Sequence, residues 1–235
     1  MRKTNASDRA YEAIYRQILN FDLHPGQVVS DYLISKNLDM SRTPIREALH
    51  KLEMDGLVEK MENGNASYRI APITVEEIQD LFDFREGLES TAFRLAWQRG
   101  ISAEETQGLQ DLVDEMFVAQ QEGKVKKHLS DDQKFHNALV GLSQNKRLLD
   151  AHAKLLIQLS RMRFLTFWNP ELQKKASFEH QEIVDAIRKG DGEGGLDAIV
   201  RHIRTSCTDF KEILEDGIPT NLIHLLQVFS KSDDE

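Results

Sequence analysis

Four residues in the C-terminal part of the chain carry donor atoms suited to a single metal ion. Asp132 and His136 are one helical turn apart, so on a helix they share a face with Phe135 and Leu139. His180 falls on the stripe of Ile183, Val184 and Ile187, and His202 lies at the edge of the stripe of Ile199, Ile203 and Phe210. One carboxylate and three imidazoles on three helices could converge on a divalent ion in a bundle core, leaving a position open for water or a ligand. Zinc leads the candidates, with nickel, manganese or iron as alternatives. A single histidine on an apolar face is more often a satisfied core residue, and His24, His50, His128, His152 and His224 are read that way.

Two arginines sit in apolar rows near this set. Ile78, Phe82, Arg85, Glu89, Ala92 and Ala96 form one stripe, and Leu148, His152, Leu156, Leu159, Arg163 and Thr166 form another, from which Arg161 points away. A buried guanidinium requires an anion, because an unpaired buried charge costs several kcal/mol. For Arg85 the anion is either Glu89 or a bound carboxylate. Arg163 has no acidic partner on its own face, so Arg163 and Arg85 are the candidate holders of a small organic acid effector.

A second kind of chemistry lies near the N-terminus, in Ser41-Arg42-Thr43-Pro44-Ile45-Arg46-Glu47-Ala48-Leu49. With Ile45, Ala48, Leu49 and Leu52 inward, Arg46 and His50 project outward, and Ser41 and Arg42 precede the helix start. Thr43 is the expected N-cap and Pro44 the first helical residue. Arginines at such a start can make bidentate contacts to guanine, while Ser, Thr and free N–H groups suit phosphate oxygens.

The elements that must position these groups fall into two parts. Residues 1–72 read as three helices and a hairpin: the stripe Tyr11, Ile14, Tyr15, Ile18, Leu19; a short helix capped at Ser30 or Asp31 with Leu33, Ile34 and Leu38 inward; and the helix just described, ended by Gly56. Strands at 57–61 and 67–70 flank Glu62-Asn63-Gly64-Asn65. Residues 73–216 read as six to seven helices without a strand, an antiparallel all-α bundle. Thr74, Ser102 and Ser130 are the expected caps, Gly100, Gly123 and Gly190 the stops, and a long helix is expected over about 145–167. Further helices are expected over 174–189 and 193–216, and residues 217–235 form a tail with a short amphipathic helix.

Charge follows the same division. The 235 residues hold 30 Lys+Arg and 39 Asp+Glu, a formal net charge of −9. Residues 1–72 hold ten of each sign, so the whole acidic excess belongs to the later part. A lone cysteine, Cys207, excludes an internal disulfide framework, and the start of the chain has no apolar leader, so a cytoplasmic location is expected. No apolar run reaches the ~18 residues of a membrane span.

Pro25-Gly26, the string from Ser41 to Leu49, Leu52 and Asp55-Gly56-Leu57-Val58 together resemble the winged helix-turn-helix domain of the GntR family of bacterial transcriptional regulators, over about 9–72. The resemblance implies that Ser41, Arg42, Thr43 and Arg46 meet operator DNA and that the wing tip around Gly64 enters the minor groove. Asp39 stands where a glycine is common in the turn. Asp132-x-x-Phe135-His136, Glu179-His180-x-x-Ile183 and His202 resemble the FCD-type effector domain of the FadR subgroup in its metal-binding branch, over about 74–215. That resemblance places Asp132, His136, His180 and His202 in a metal shell.

The leading expectation is a homodimeric regulator, a repressor, that binds double-stranded operator DNA under control of a small organic acid. It is not expected to be an enzyme. A metal sensor and, behind it, a metal-dependent hydrolase are the competing readings. Glu89 and Glu179 would be the hydrolase's only candidate bases.

Overall fold

A computed structural model describes residues 5–62, 67–162 and 169–216. The chain divides into two compact units between Thr74 and Val75. The fold is mainly helical with one small three-stranded sheet.

The first unit contains α1 (Ala6–Leu19), β1 (Val28–Ser30), α2 (Asp31–Asn37), α3 (Arg42–Met54), β2 (Val58–Lys60) and β3 (Ser67–Ile70). Its core is the predicted α3 face, with Ile45, Ala48, Leu49 and Leu52 wholly buried against Ala10, Ile14 and Ile18 of α1. Gly56 closes α3 at φ +74°, a conformation that costs a glycine little. Asp39, in the tight turn between α2 and α3, takes φ +49°, which a short carboxylate side chain tolerates.

Three local expectations require correction. The α3 helix starts at Arg42 with Ser41 as N-cap, so Pro44 sits third in the helix, still within the turn whose N–H groups need no partner. Leu33 is exposed at 53% rather than inward; of Leu33, Ile34 and Leu38, Ile34 alone is buried. The sheet has a third strand, because β1 pairs antiparallel with β3 through Val29 and Tyr68. Three residues are too few for alternation to be visible in sequence. Gly64, the expected wing tip, lies outside the described residues.

The second unit has six helices among the described residues: α4 (Val75–Arg99), α5 (Ala103–Gln121), α6 (Val125–Gly141), α7 (Lys146–Ser160), α8 (Pro170–Lys189) and α9 (Gly192–Glu215). Helix α4 packs chiefly on α6, α7 and α9, and α5 chiefly on α6 and α8. The capping box at Ser102–Glu105 is formed in both directions. Ser130 is not a cap: α6 begins five residues earlier, and Asp131 is buried inside it between Lys127 and Lys134 at 2.8 Å each. Helix α7 ends at Ser160, short of the expected 167, and α8 begins at Pro170, where Asn169 caps the N–H groups of Glu171 and Leu172. Residues 163–168, and hence Arg163, lie outside the described residues, as does the tail from 217.

Helix α9 opens on three glycines, two of which serve close packing. A Cβ on Gly195 would come within 2.8 Å of the Phe93 ring, and one on Gly192 would overlap Trp97. Gly108, on an exposed stretch of α5, has open space around it. Gly192→Ala should therefore lose about 1–3 kcal/mol of stability, whereas Gly108→Ala should gain about 0.4–1 kcal/mol. Urea melts of the two variants check this contrast of sign.

Candidate metal centre and DNA-reading helix

The metal candidates are carried by three helices of the second unit. Periodicity places His136 beside Phe135 and Leu139 on α6, His180 beside Ile183 and Val184 on α8, and His202 beside Ile199 and Ile203 on α9, all buried. One ring nitrogen of each histidine lies within 4.8 Å of those of the other two. His136 Nε2 and His180 Nε2 are 3.0 Å apart. Asp132 is half-buried, with Oδ1 3.8 Å from His136 Nε2 and 3.7 Å from His180 Nε2. The structure thus brings all four predicted residues to one place, with Asp132 at the margin.

Two carboxylates orient these rings. His136 Nδ1 lies 2.9 Å from Glu89 Oε2, and His202 Nδ1 lies 2.8 Å from Glu179 Oε2. A carboxylate only accepts, so each Nδ1 carries the proton and each Nε2 presents a lone pair. The close approach of His136 Nε2 and His180 Nε2 then needs either a proton between them or a shared cation. Among the described residues, His180 Nδ1 is buried with no hydrogen-bond partner. Burial lowers all three imidazole pKa values: His202 falls to about 3, helped by the nearby His136 and Arg85; His180 lies well below its ordinary value; and His136 is lowered by burial and Arg85. Neutral imidazoles with lone pairs converging are what a divalent ion requires, so the donor set fits a metal.

Glu89 is the central polar residue that the sequence pattern underplayed. It is wholly buried on α4; Arg85 Nε donates to its Oε1 at 2.7 Å, and His152 Nε2 lies 3.5 Å from the same oxygen. Burial alone would raise its carboxyl, but the charge of Arg85 and the hydrogen bond from His136 hold it well below the usual range. The ion-pair alternative for Arg85 is therefore the one formed. Its two Nη groups make no hydrogen bond among the described residues, and the side chain lines a cavity of about 80 Å³ shared with His136, His202, Leu156 and Phe210. Arg161 does not point away: it is buried at 2% exposure and donates to Glu77 at 2.7 Å, because it closes α7 instead of continuing its helical stripe.

Of the other histidines, His128 and His152 are buried as expected; His128 Nε2 lies 3.1 Å from Ser177 Oγ, but among the described residues neither ring nitrogen of His152 makes a hydrogen bond. His24 and His50 are exposed and so are not core histidines. His224 lies outside the described residues.

In the first unit Ser41, Arg42, Thr43 and Arg46 are all exposed around the start of α3. The sequence reading missed the group behind them. Arg42 Nη2 donates to both oxygens of the buried Asp31, at 2.7 and 3.0 Å, and Arg46 Nε donates to Oδ2.

A family profile described as the FCD domain matches residues 80–205, more than half of the chain, and one for bacterial regulatory proteins of the gntR family matches residues 6–66. The chain belongs to the GntR family. It is a DNA-binding transcriptional regulator with an FCD domain. Among its relatives, the HTH-type transcriptional regulator YdhC of Bacillus subtilis is 28% identical over 210 residues, covering 88% of this chain and 92% of that protein. The HTH-type transcriptional repressor RspR of Escherichia coli is 21% identical over 211 residues, covering 90% and 91%. The solved structure of E. coli McbR/YncC has the same fold, with a TM-score of 0.71 at 18% identity over 88% of this chain and 98% of that one. The matched families and relatives are regulators and not enzymes. Among the described residues, no helix of the regulator is long and apolar enough to cross a membrane.

Glu89→Ala in the regulator removes the anion that neutralises a buried arginine. The variant should lose about 3–5 kcal/mol, because it leaves the Arg85 charge buried without its counter-ion. Chemical denaturation of the full chain checks it; a loss below about 1 kcal/mol would mean that Arg85 is already solvated.

Proposed function

We propose that the regulator is a cytoplasmic homodimeric repressor whose grip on double-stranded operator DNA is controlled by a small organic acid bound beside a divalent ion. The observation that carries this reading is a cavity lined by Arg85, Asp132, His136 and His202, with the buried His180 Nε2 3.0 Å behind that of His136. His136, His180, His202 and Asp132 would hold the ion. Zinc leads the candidates, and nickel, manganese or iron also suit an N3O set. When bound, the ion supplies a positive centre with a coordination position open to a carboxylate oxygen.

The chain's own residues supply the rest. Glu89 and Glu179 retain the Nδ1 protons and keep His136 and His202 facing inward. Arg85, fixed by Glu89 through Nε, offers Nη donors to the acid, and Arg163 is the second candidate for that role. A volume of about 80 Å³ admits several waters or one compact acid, not a large ligand. At the DNA end, Ser41, Arg42, Thr43 and Arg46 would meet the operator and the segment at Gly64 the minor groove. The repressor role is supported by the likeness to RspR. Acid and operator are linked through one conformational equilibrium of the bundle, each changing the other's affinity by the same factor.

A second copy is expected on the outer face of α4. Phe84 and Leu95 are exposed there at 52% and 37%, with Gly87 and Thr91 between them leaving room for close approach. That face carries Asp80 and Asp83 toward one end and Arg94 toward the other, so an antiparallel pairing about a two-fold axis sets opposite charges together. Phe84→Glu combined with Leu95→Glu should turn a dimer into a monomer in analytical ultracentrifugation; an unchanged dimer removes α4 from the interface.

The metal and acid are tested together. Elemental analysis should find one divalent ion per chain, lost in His180→Ala. A thermal-shift panel of hydroxy acids, sugar acids, dicarboxylates and amino acids should find a stabiliser, worth about 2.7 kcal/mol at about 100 times its Kd. Arg85→Ala should bind that acid at least tenfold more weakly. Retained affinity in both Arg85→Ala and Arg163→Ala would sink the carboxylate role, and a chelator that abolishes operator binding without any acid would make the ion itself the signal.

A further inference from the structure

Asp31 is an anion on the side of the first unit that carries the DNA-reading arginines, where a polyanion must approach. It occupies the first position of α2, its side chain is 2% exposed, and Arg42 and Arg46, which reach it, are themselves 50% and 54% exposed. The charges and hydrogen bonds of the two arginines overcome the cost of its burial and hold the carboxyl below its ordinary range, so it is ionised at neutral pH. A carboxylate here weakens phosphate attraction. Its use must lie in what it orients.

The two arginines meet Asp31 through different edges. Arg46 engages through Nε, which leaves Nη1 and Nη2, and neither makes a hydrogen bond among the described residues. Those two parallel donors form the end-on fork that matches O6 and N7 of guanine. Arg42 instead spends Nη2 on both carboxylate oxygens, leaving Nη1 and Nε, which do not form that end-on pair. We propose that Asp31 is a positioning residue that braces Arg46 with its fork outward to read one guanine and confines Arg42 to a phosphate contact. This rests on the proposed meeting of Arg46 with the operator. Bracing removes rotamer freedom before binding, so sequence discrimination rises at the expense of general attraction to DNA.

The test uses the full-length regulator, a duplex that it selects from randomised DNA, and a scrambled duplex of the same composition. Arg46→Ala and Asp31→Asn should each lower the ratio of selected to scrambled affinity by about tenfold or more. Asp31→Asn alone should bind the scrambled duplex more tightly, with a log–log salt slope steeper by about one unit. An Asp31→Asn protein that keeps its ratio while Arg46→Ala loses it overturns the bracing role and leaves the arginine's role standing. If Arg46→Ala also keeps its ratio, the DNA reading of Arg46 falls, and the bracing with it. Should Asp31→Asn fail to fold, wild-type protein labelled with nitrogen-15 in arginine decides. The Arg46 Nε–H signal, assigned by its loss in Arg46→Lys, should keep its shift and slow solvent exchange when the selected duplex is added; a move to the position of a free arginine overturns the inference.

Discussion

An ionised carboxylate with no exposure to water, as Glu89 is, can persist in a helical core only if cations and donors surround it, since an isolated buried charge costs far more than a domain's net stability. Arg85 answers from one turn earlier on α4 and His136 from α6, and His152 of α7 comes within 3.5 Å. Those three contacts fix how α4, α6 and α7 meet at this level. The apolar cluster of Leu88, Ala92 and Val140, with Leu148 and Leu149 against it, then seals the same junction. The polar group specifies a register that hydrophobic packing alone would leave open to sliding, which is the role buried charges can serve at a cost in stability.

The same contact decides what the histidines can do. By accepting from His136 Nδ1, Glu89 commits the opposite nitrogen to presenting a lone pair, and Glu179 does likewise for His202. Burial then keeps the rings neutral. Orientation and neutrality are separate requirements of a metal ligand, and here they have separate sources: a carboxylate behind each ring for the first, exclusion of water for the second. Because Arg85 shares Glu89, a ligand that draws on Arg85 also acts on the group behind His136. The cavity wall and the metal candidates are one network.

How much of this was visible in the sequence follows the range of each signal. The α3 face of Ile45, Ala48, Leu49 and Leu52, the stop at Gly56 and the box at Ser102–Glu105 are local, periodic or stereochemical, and each stands as read. The convergence of Asp132, His136, His180 and His202 was legible because all four are polar on apolar stripes of separate helices. What failed was non-local or too short. Strand β1 has only three residues and is defined by its partner Tyr68. Ser130 has the letters of a cap, yet Lys127 and Lys134 neutralise Asp131 and let α6 run through it. Arg161 was assigned outward by extending a helical period past Ser160, where the helix stops. Asp31 looked like a capping residue of α2, and nothing in its own neighbourhood of sequence announces two arginines 11 and 15 residues later.

The acidic excess of this chain takes on a different sense once these partners are known. The first unit is balanced in formal charge, but the balance is not spread evenly: one buried carboxylate is set against two exposed guanidinium groups at the start of α3. Locally that leaves a single net positive charge where two would otherwise act, with the remaining donors directed outward. Affinity for any DNA scales with the phosphates neutralised, whereas discrimination scales with how rigidly a donor pair is held against a base edge. Glu89 and Asp31 thus use one physical device, a buried carboxylate that gives up its own solvation to hold a cation in a fixed direction. In the proposed readings that direction serves a ligand site in the bundle and the reading of a base in the first unit.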